Sequence, residues 1–297
     1  MDICVAICTY KRDSLKETLY SISKQCLPRE ITLKVLIADN DKTDKARAKI
    51  EGWAEEFGLR LIYIHAPSQN ISIARNACLD NADSNWLACI DDDEVASINW
   101  LSNLYKKAQQ EKVAVVCGPV KAIYDDSAPS WMKICDFHSQ QPVFVKGVIK
   151  TTSTANALIN LKHQACKGLR FDLALGKSGG EDSSFFSYVY SNGGCFAFAK
   201  DALVTEDVPP ERANLMWLLK RKFRFGQTCG ARLITKNISV LDKIKYSTLA
   251  SCKFSFCILM CLLSILGKSK KYHWLLRGTL HVGVLAKLFG KKEIIQY

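Results

Sequence analysis

The chain has 297 residues, 48% of them hydrophobic, and a formal net charge of +12; a chain this apolar must build a core, which excludes a disordered protein and leaves room for one large α/β domain with an appendage. The charge is uneven, because residues 1–208 hold 24 Lys and Arg against 26 Asp and Glu, whereas residues 209–297 hold 17 against 3. The basic excess is therefore confined to a tail, and charge alone does not choose among nucleic acid, an anionic membrane and a phosphorylated substrate as its partner.

From the N-terminus, Met1-Asp2-Ile3 enters a strand-like run with no basic, apolar leader, which predicts a cytosolic catalytic domain. Ile3–Cys8, Leu33–Ala38, Leu59–Ile64, Trp86–Ile90 and Val113–Cys117 are short apolar or β-branched runs, and the amphipathic stretches Leu15–Gln25 and Lys45–Phe57 lie between some of them. Strands alternating with helices predict a mainly parallel sheet covered on both faces. Ligands of such sheets sit beyond the carboxyl ends of the strands. Thr9-Tyr10, Asp39-Asn40 and Asp91–Glu94 each follow a strand directly, so they are expected at one rim. Val148–Leu161 reads as further strand, Gly179–Asn192 as a helix and Leu215–Phe225 as a strongly basic helix. The Cys count is 13, odd and without a Cys-x-x-Cys pair, and Cys4, Cys8, Cys78, Cys89 and Cys117 sit in apolar runs, as small core hydrophobes do in a reducing compartment.

The tail carries the apolar run Phe254–Leu266, then Gly267-Lys268-Ser269-Lys270-Lys271, then the mixed stretch Tyr272–Phe289. The first run is shorter than the about 20 apolar residues that cross a bilayer. An interfacial or re-entrant helix is expected, followed by a second helix in the headgroup plane, with the flanking Lys and Arg matched to an anionic surface. A pair of helices packed on the globular domain is the plainer alternative.

Three segments could carry chemistry. Asp91-Asp92-Asp93-Glu94 puts four acids after an apolar strand, where they repel one another unless partnered. Mn²⁺ or Mg²⁺ suits their hard oxygens and would also bridge two phosphates, although an acidic turn capping a helix reads the same way. Asn70–Asn76 reads as a helix start from which Arg75 could reach a phosphate or a base, or simply sit on a surface, while Asn76 holds the loop. Gly179-Gly180-Glu181-Asp182 pairs glycines with acids at a helix start, a setting for an ionised Asp182 that takes a proton from a hydroxyl, or for an ordinary acidic cap. The five His, at 65, 138, 163, 273 and 281, show no metal-ligand spacing.

Taken together and in order, Ile7-Cys8-Thr9-Tyr10-Lys11-Arg12, Asp39-Asn40, Ala74-Arg75-Asn76, Asp91–Asp93 and Gly180-Glu181-Asp182 resemble an inverting family 2 glycosyltransferase of the GT-A fold, over roughly residues 1–230. The likeness is greatest to bacterial enzymes that build exopolysaccharide or lipopolysaccharide. The resemblance implies a donor site of Thr9, Tyr10, Arg12, Asp39, Arg75, Asp91 and Asp92, with Asp39 facing the base and Asp92 near the ribose. It further implies Asp93 as the ligand of Mn²⁺ or Mg²⁺, Asp182 as catalytic base and Glu181 beside the acceptor. Thr151–Asn156 would approach the donor sugar, and Val208–Arg212 with Arg221, Arg224, Phe225 and Gly226 resembles the distal element of the polysaccharide enzymes. A His often found before that element is replaced here by Thr205-Glu206-Asp207.

A GT-A catalytic domain over 1–230 and a basic helical region over 231–297 are thus expected. The expected partners are a nucleotide-sugar donor, with uridine the base that the resemblance implies, a glycan or lipid-linked glycan acceptor and the inner face of the cell membrane, with no nucleic acid. A nucleotidyltransferase is a rival, but no Gly-rich phosphate loop follows Cys8. A catalytically silent adaptor working through its basic tail is another, and it leaves the ordered acids unexplained.

Overall fold

The computed structural model describes residues 2–234, 238–264, 267–292 and 294. Met1 and the tail positions 235–237, 265, 266, 293 and 295–297, all inside segments interpreted above, lie outside the described residues.

The chain opens with β1 (Asp2–Thr9), α1 (Leu15–Ser23), β2 (Thr32–Asp39), α2 (Arg47–Glu56), β3 (Leu61–His65), α3 (Ile71–Asn81) and β4 (Trp86–Ile90). There follow β5 (Glu94–Ala96), α4 (Trp100–Glu111), β6 (Val115–Cys117), β7 (Val120–Tyr124), α5 (Ser130–Cys135), β8 (Phe144–Val145), β9 (Val148–Ile149) and β10 (Asn156–Asn160). The remainder is α6 (Glu181–Ser191), β11 (Phe196–Phe198), β12 (Val204–Val208), α7 (Leu215–Leu233), α8 (Val240–Leu263) and α9 (Lys268–Leu288).

Seven strands form one sheet in the order β11-β6-β10-β4-β1-β2-β3, parallel except for β10, which runs antiparallel to both β4 and β6. Alternation along β1 explains why it reads as an unbroken apolar run. Ile3, Val5 and Ile7 enter the core layer with α1 and α4, while Cys4 and Ala6 enter the opposite layer with Phe185 and Phe186 of α6. Both faces are therefore dry. Asn156 at the start of β10 is buried but satisfied: it accepts from Trp100 Nε1 at 2.9 Å and donates to the carbonyls of Pro119 and Ala202 at 3.0 and 2.8 Å. A three-stranded sheet, β5-β12-β7, and the two-stranded β8-β9 complete the strands.

The packing divides the chain into two units, one reaching Ile123 and resuming over Ser139–Asp207, the other made of Tyr124–His138 and the chain from Val208 onward. In the second unit α9 packs between α7 and α8. Asn214 caps α7 by accepting from Trp217 N at 2.9 Å, and Ser239 caps α8 by accepting from Asp242 N at 3.0 Å. α7 and α9 cross with almost no side chain between them: a Cβ on Gly226 would lie 2.0 Å from the Leu280 carbonyl, and one on Gly283 would lie 2.0 Å from that of Phe223.

Three expectations change. The basic helix runs past Phe225 to Leu233 and belongs, with the tail helices, to the second unit. The strand expected over Val148–Leu161 is two short pieces, since Thr151 leaves the ladder and donates its hydroxyl to the Ser183 carbonyl at 3.0 Å. The apolar tail run is part of a helix that begins at Val240, and its 24 residues are long and apolar enough to cross a membrane by length and composition.

Candidate functional site

Parallel register carries the C-terminal ends of β1, β2 and β4 to one rim, with Thr9 opposite Asp39 in the β1–β2 ladder. Asp39 is 1% exposed and fully partnered, accepting from Tyr63 Oη at 2.5 Å and from the Asp41 backbone N–H at 2.9 Å. Burial, with Asp39 beside it, carries the Tyr63 hydroxyl well above its usual pKa, so it remains a donor that fixes the Asp39 carboxylate. Sequence reading missed Tyr63, which looks like any strand aromatic. Tyr10 stands exposed at the rim, its hydroxyl accepting from Gln69 Nε2 at 2.7 Å.

The acidic triplet is held from the β1 side. Thr9 Oγ1 donates to Asp92 Oδ2 at 2.8 Å, Ser14 Oγ donates to the Asp92 carbonyl at 2.9 Å, and Arg12 Nη1 pairs with Asp93 Oδ2 at 3.0 Å. The Asp91 backbone N–H donates to Glu94 Oε2 at 2.8 Å, while Glu94 Oε1 is buried with no hydrogen-bond partner. Glu94 thus turns inward, and Glu206 of β12 stands opposite it in the β5–β12 ladder. Burial pushes the Asp91 carboxyl up to about 7 against the pull of Arg75, with Asp93, Asp92 and Glu206 adding to the rise. Burial likewise lifts Asp92 to about 6.

Four consecutive acids, of which burial raises Asp91, Asp92 and Glu94, with one orphaned carboxylate oxygen on Glu94, fit a hard divalent cation. Among the described residues, however, no group of three or more His, Cys, Asp and Glu is arranged to hold a metal. A cation here would need oxygens from a ligand and from water to complete its shell, which suits Mg²⁺ or Mn²⁺ on a diphosphate better than a caged structural ion.

The third side of the rim comes from α3 and α6. Asn70 caps α3, accepting from Ser72 N at 3.0 Å, and its own N–H donates to Asn40 Oδ1 at 3.0 Å, which ties the helix start to the end of β2. Asn76 exchanges two hydrogen bonds with the backbone of Phe171, at 3.0 and 2.8 Å. Arg75 lies 5.6 Å over the Phe171 ring and forms an ion pair with Glu181. Burial works against the Arg75 charge, and Glu181, with Asp182 and Asp91 behind it, more than restores it. Sequence reading gave Arg75 and Glu181 separate tasks, at the nucleotide and the acceptor; here they are bound to each other. Glu181 Oε2 remains buried and unpartnered.

Gly179 and Gly180 precede α6 with φ of 83° and 94°, backbone that a residue with a Cβ adopts poorly, and they set Glu181 and Asp182 in the first turn. Asp182 accepts from the Ser183 N–H at 2.5 Å and is only partly buried. Arg75, Asp91 and Thr154 line a cavity of about 20 Å³ beneath this rim, large enough for one water molecule.

The Glycosyl transferase family 2 model matches residues 4–174. The succinoglycan biosynthesis protein ExoM of Rhizobium meliloti (strain 1021) is 44% identical over 297 residues, covering 100% of this chain and 96% of its own length. In fold, the chain is similar to the mannosyltransferase PcManGT from Pyrobaculum calidifontis in complex with GDP-Man and Mn²⁺, with a TM-score of 0.64, 17% identity, and coverage of 98% of this chain and 88% of that one. It is also similar to S. aureus TarS 1-349 in complex with UDP-GlcNAc, with a TM-score of 0.55, 13% identity, and coverage of 98% and 93%. With β10 the one reversed strand in the large sheet and the acidic turn directly after β4, the chain is a GT-A glycosyltransferase and belongs to glycosyl transferase family 2.

Proposed function

We propose that this enzyme transfers one sugar, with inversion at the anomeric carbon, from a UDP-sugar to a hydroxyl of a growing exopolysaccharide on the inner face of the cell membrane. The observation that carries the reading is that Asp182 and Asp91, acids from distant segments, both act on the buried Arg75 guanidinium, with Asp182 in the first turn of α6. The 44% identity to a succinoglycan biosynthesis protein supports the polymer class, since it extends over the whole chain. Lipopolysaccharide is the neighbouring possibility within the same chemistry.

In this reading Asp39, oriented by Tyr63, receives the base, while Thr9 and Asp92 meet the ribose and Tyr10 closes over the nucleoside. Asp93, released from Arg12, would hold Mn²⁺ or Mg²⁺ with the donor diphosphate, and Arg12 would turn to a phosphate oxygen. When bound, the cation would neutralise the diphosphate and ease its departure. The acceptor oxygen attacks the anomeric carbon from the face opposite the diphosphate, its proton passes to the Asp182 carboxylate, and the bonding pair of the broken C–O bond leaves with the nucleoside diphosphate. Arg75 and Glu181 keep the α6 start in register beneath this exchange, and Asp91 tunes their charge. We assign catalysis to the first unit and membrane docking to the second.

The test is donor turnover: purified protein with UDP-, GDP- and dTDP-sugars and Mn²⁺, nucleoside diphosphate release as readout, Asp93→Asn as control, and the anomeric configuration of the product read by NMR. Metal-dependent release from one donor, lost in the control, with an inverted product, is expected. Folded protein that binds no nucleotide with metal present would overturn the proposal.

A further inference from the structure

The apolar tail helix leaves its outer face bare. In α8, Ala250 and Cys257 are buried, while Leu249, Phe256, Leu259, Leu262 and Leu263 are 50–69% exposed. These large side chains recur along one side from Leu249 to Leu263, a stretch of about 22 Å at 1.5 Å per residue. Basic residues bracket it: Lys243, Lys245 and Lys253 precede or interrupt it, and Lys268, Lys270 and Lys271 open α9 after it. On the adjoining α9 face, Trp274 packs edge-on to Phe256 at 5.5 Å and carries Arg277 at 5.7 Å from its centroid, an aromatic with a cation beside it as found at headgroup depth. Burial, with Lys253 and Arg277 crowding it, depresses the pKa of His281. From residue 209 onward only 3 acids accompany 17 Lys and Arg, so the charge has no internal counterpart of comparable size.

We infer that α8 lies in the plane of an anionic lipid bilayer, its Leu249–Leu263 face among the acyl chains and the lysines at both ends on lipid phosphates, and that it does not span the membrane. The exposed apolar residues reach back through Ile244 and Leu241 to Val240, so α8 is long enough to cross, but Asp242, Lys243, Lys245 and Lys253 are exposed within the same 24 residues and a spanning pose would hold these charges in or against the hydrocarbon. Lying flat satisfies both faces at once. This rests on the membrane docking proposed above and fixes its geometry and its lipid.

Full-length protein is incubated with vesicles of phosphatidylcholine alone or mixed with phosphatidylglycerol and sedimented, and its donor hydrolysis is followed in parallel. Binding only to the mixed vesicles, falling about tenfold between low and physiological salt, is expected. Reversing three basic contacts with Lys268→Glu, Lys270→Glu and Lys271→Glu should cost roughly 100-fold in vesicle affinity. Phe256→Glu with Leu259→Glu should abolish binding, and both sets should retain wild-type donor hydrolysis, so a failed lipid result is separable from a failed enzymatic one. Equal binding to neutral vesicles, or bound protein that resists alkaline carbonate extraction, would overturn the in-plane anionic geometry. So would a soluble dimer that the Phe256 and Leu259 changes dissociate, which would assign the face to a second copy of the chain.

Discussion

The Arg75–Glu181 pair is the structural centre of the rim, and its removal is a quantitative test. The side chains are 14% and 8% exposed, so each charge has lost most of its water. Replacing Arg75 with Met keeps the stem but strands the Glu181 carboxylate, whose Oε2 already has no hydrogen-bond partner. Breaking one side of a buried pair costs about 3–5 kcal/mol. Asp91 and Asp182, which Arg75 also attracts, lose their nearest cation and add to the penalty, so the upper half of that range is expected. At roughly 2–4 °C per kcal/mol for a domain of this size, the midpoint of thermal unfolding should fall by about 8–20 °C. Glu181→Leu alone leaves an arginine with two other acids near it and should cost less. The double variant, with an apolar pair in place of the ions, should recover much of the loss, because well-packed apolar substitutes for buried ions are often neutral. Calorimetry of the four proteins gives the coupling directly. Single variants that melt within about 2 °C of the parent, with additive effects in the double variant, would refute a buried, mutually dependent pair.

Other consequences follow from neighbouring residues. Asp93→Asn breaks only a partly exposed ion pair with Arg12, worth about 1 kcal/mol or less, so the melting temperature should hold while metal-dependent donor turnover falls at least about 100-fold. Tyr63→Phe leaves one oxygen of a 1% exposed carboxylate without its donor, and urea titration should show a loss of about 1–3 kcal/mol together with weaker UDP binding by calorimetry. Gly226→Ala puts a methyl group 2.0 Å from a backbone carbonyl that no rotamer can move, so about 3 kcal/mol or more should be lost and limited proteolysis should clip the tail helices faster. His138 is 3% exposed, stacks on Trp217 at 5.1 Å, and has its pKa lowered to about 4 by burial and then by Arg221. The unfolded chain takes this proton near pH 6.5 and the folded one near 4, so stability should decline as pH falls through that window, by up to about 3 kcal/mol, and level off below it. His138→Gln should flatten this component of the pH profile of chemical denaturation.

The parallel half of the sheet was legible because β1, β2 and β4 are buried on both faces and so read as unbroken apolar runs ending in polar turns. The same logic brings Thr9, Asp39 and the acidic triplet, each directly after a strand, to one rim. What escaped it was whatever depends on side chains meeting across the fold. Tyr63 finds Asp39 from the next strand, and Glu206 comes opposite Glu94 in a ladder whose neighbouring pair, Thr205 and Val95, is 110 residues apart in sequence. The Arg75–Glu181 pair joins segments 106 residues apart, and neither segment carries a local sign that it is the other's partner. Helix ends were misjudged where charge interrupts an apolar pattern: Lys253 broke the sequence run that α8 crosses without interruption, because that lysine is exposed and costs the helix nothing.

The reversed strand has a consequence for how the chain is made. β4 pairs with β1 on one side, but its other edge waits for β10, and the partner residues Asn156–Asn160 leave the ribosome some 65 residues after Ile90. At 5–20 residues per second this leaves a fully apolar strand with unpaired N–H and C=O groups for roughly 3–13 s, the interval in which strand edges recruit other chains. Fragments that end between β4 and β10 should therefore aggregate, whereas those that extend past Asn160 close this edge against themselves. Synthesis of this enzyme passes through an aggregation-prone window whose length is set by the distance along the chain from β4 to β10.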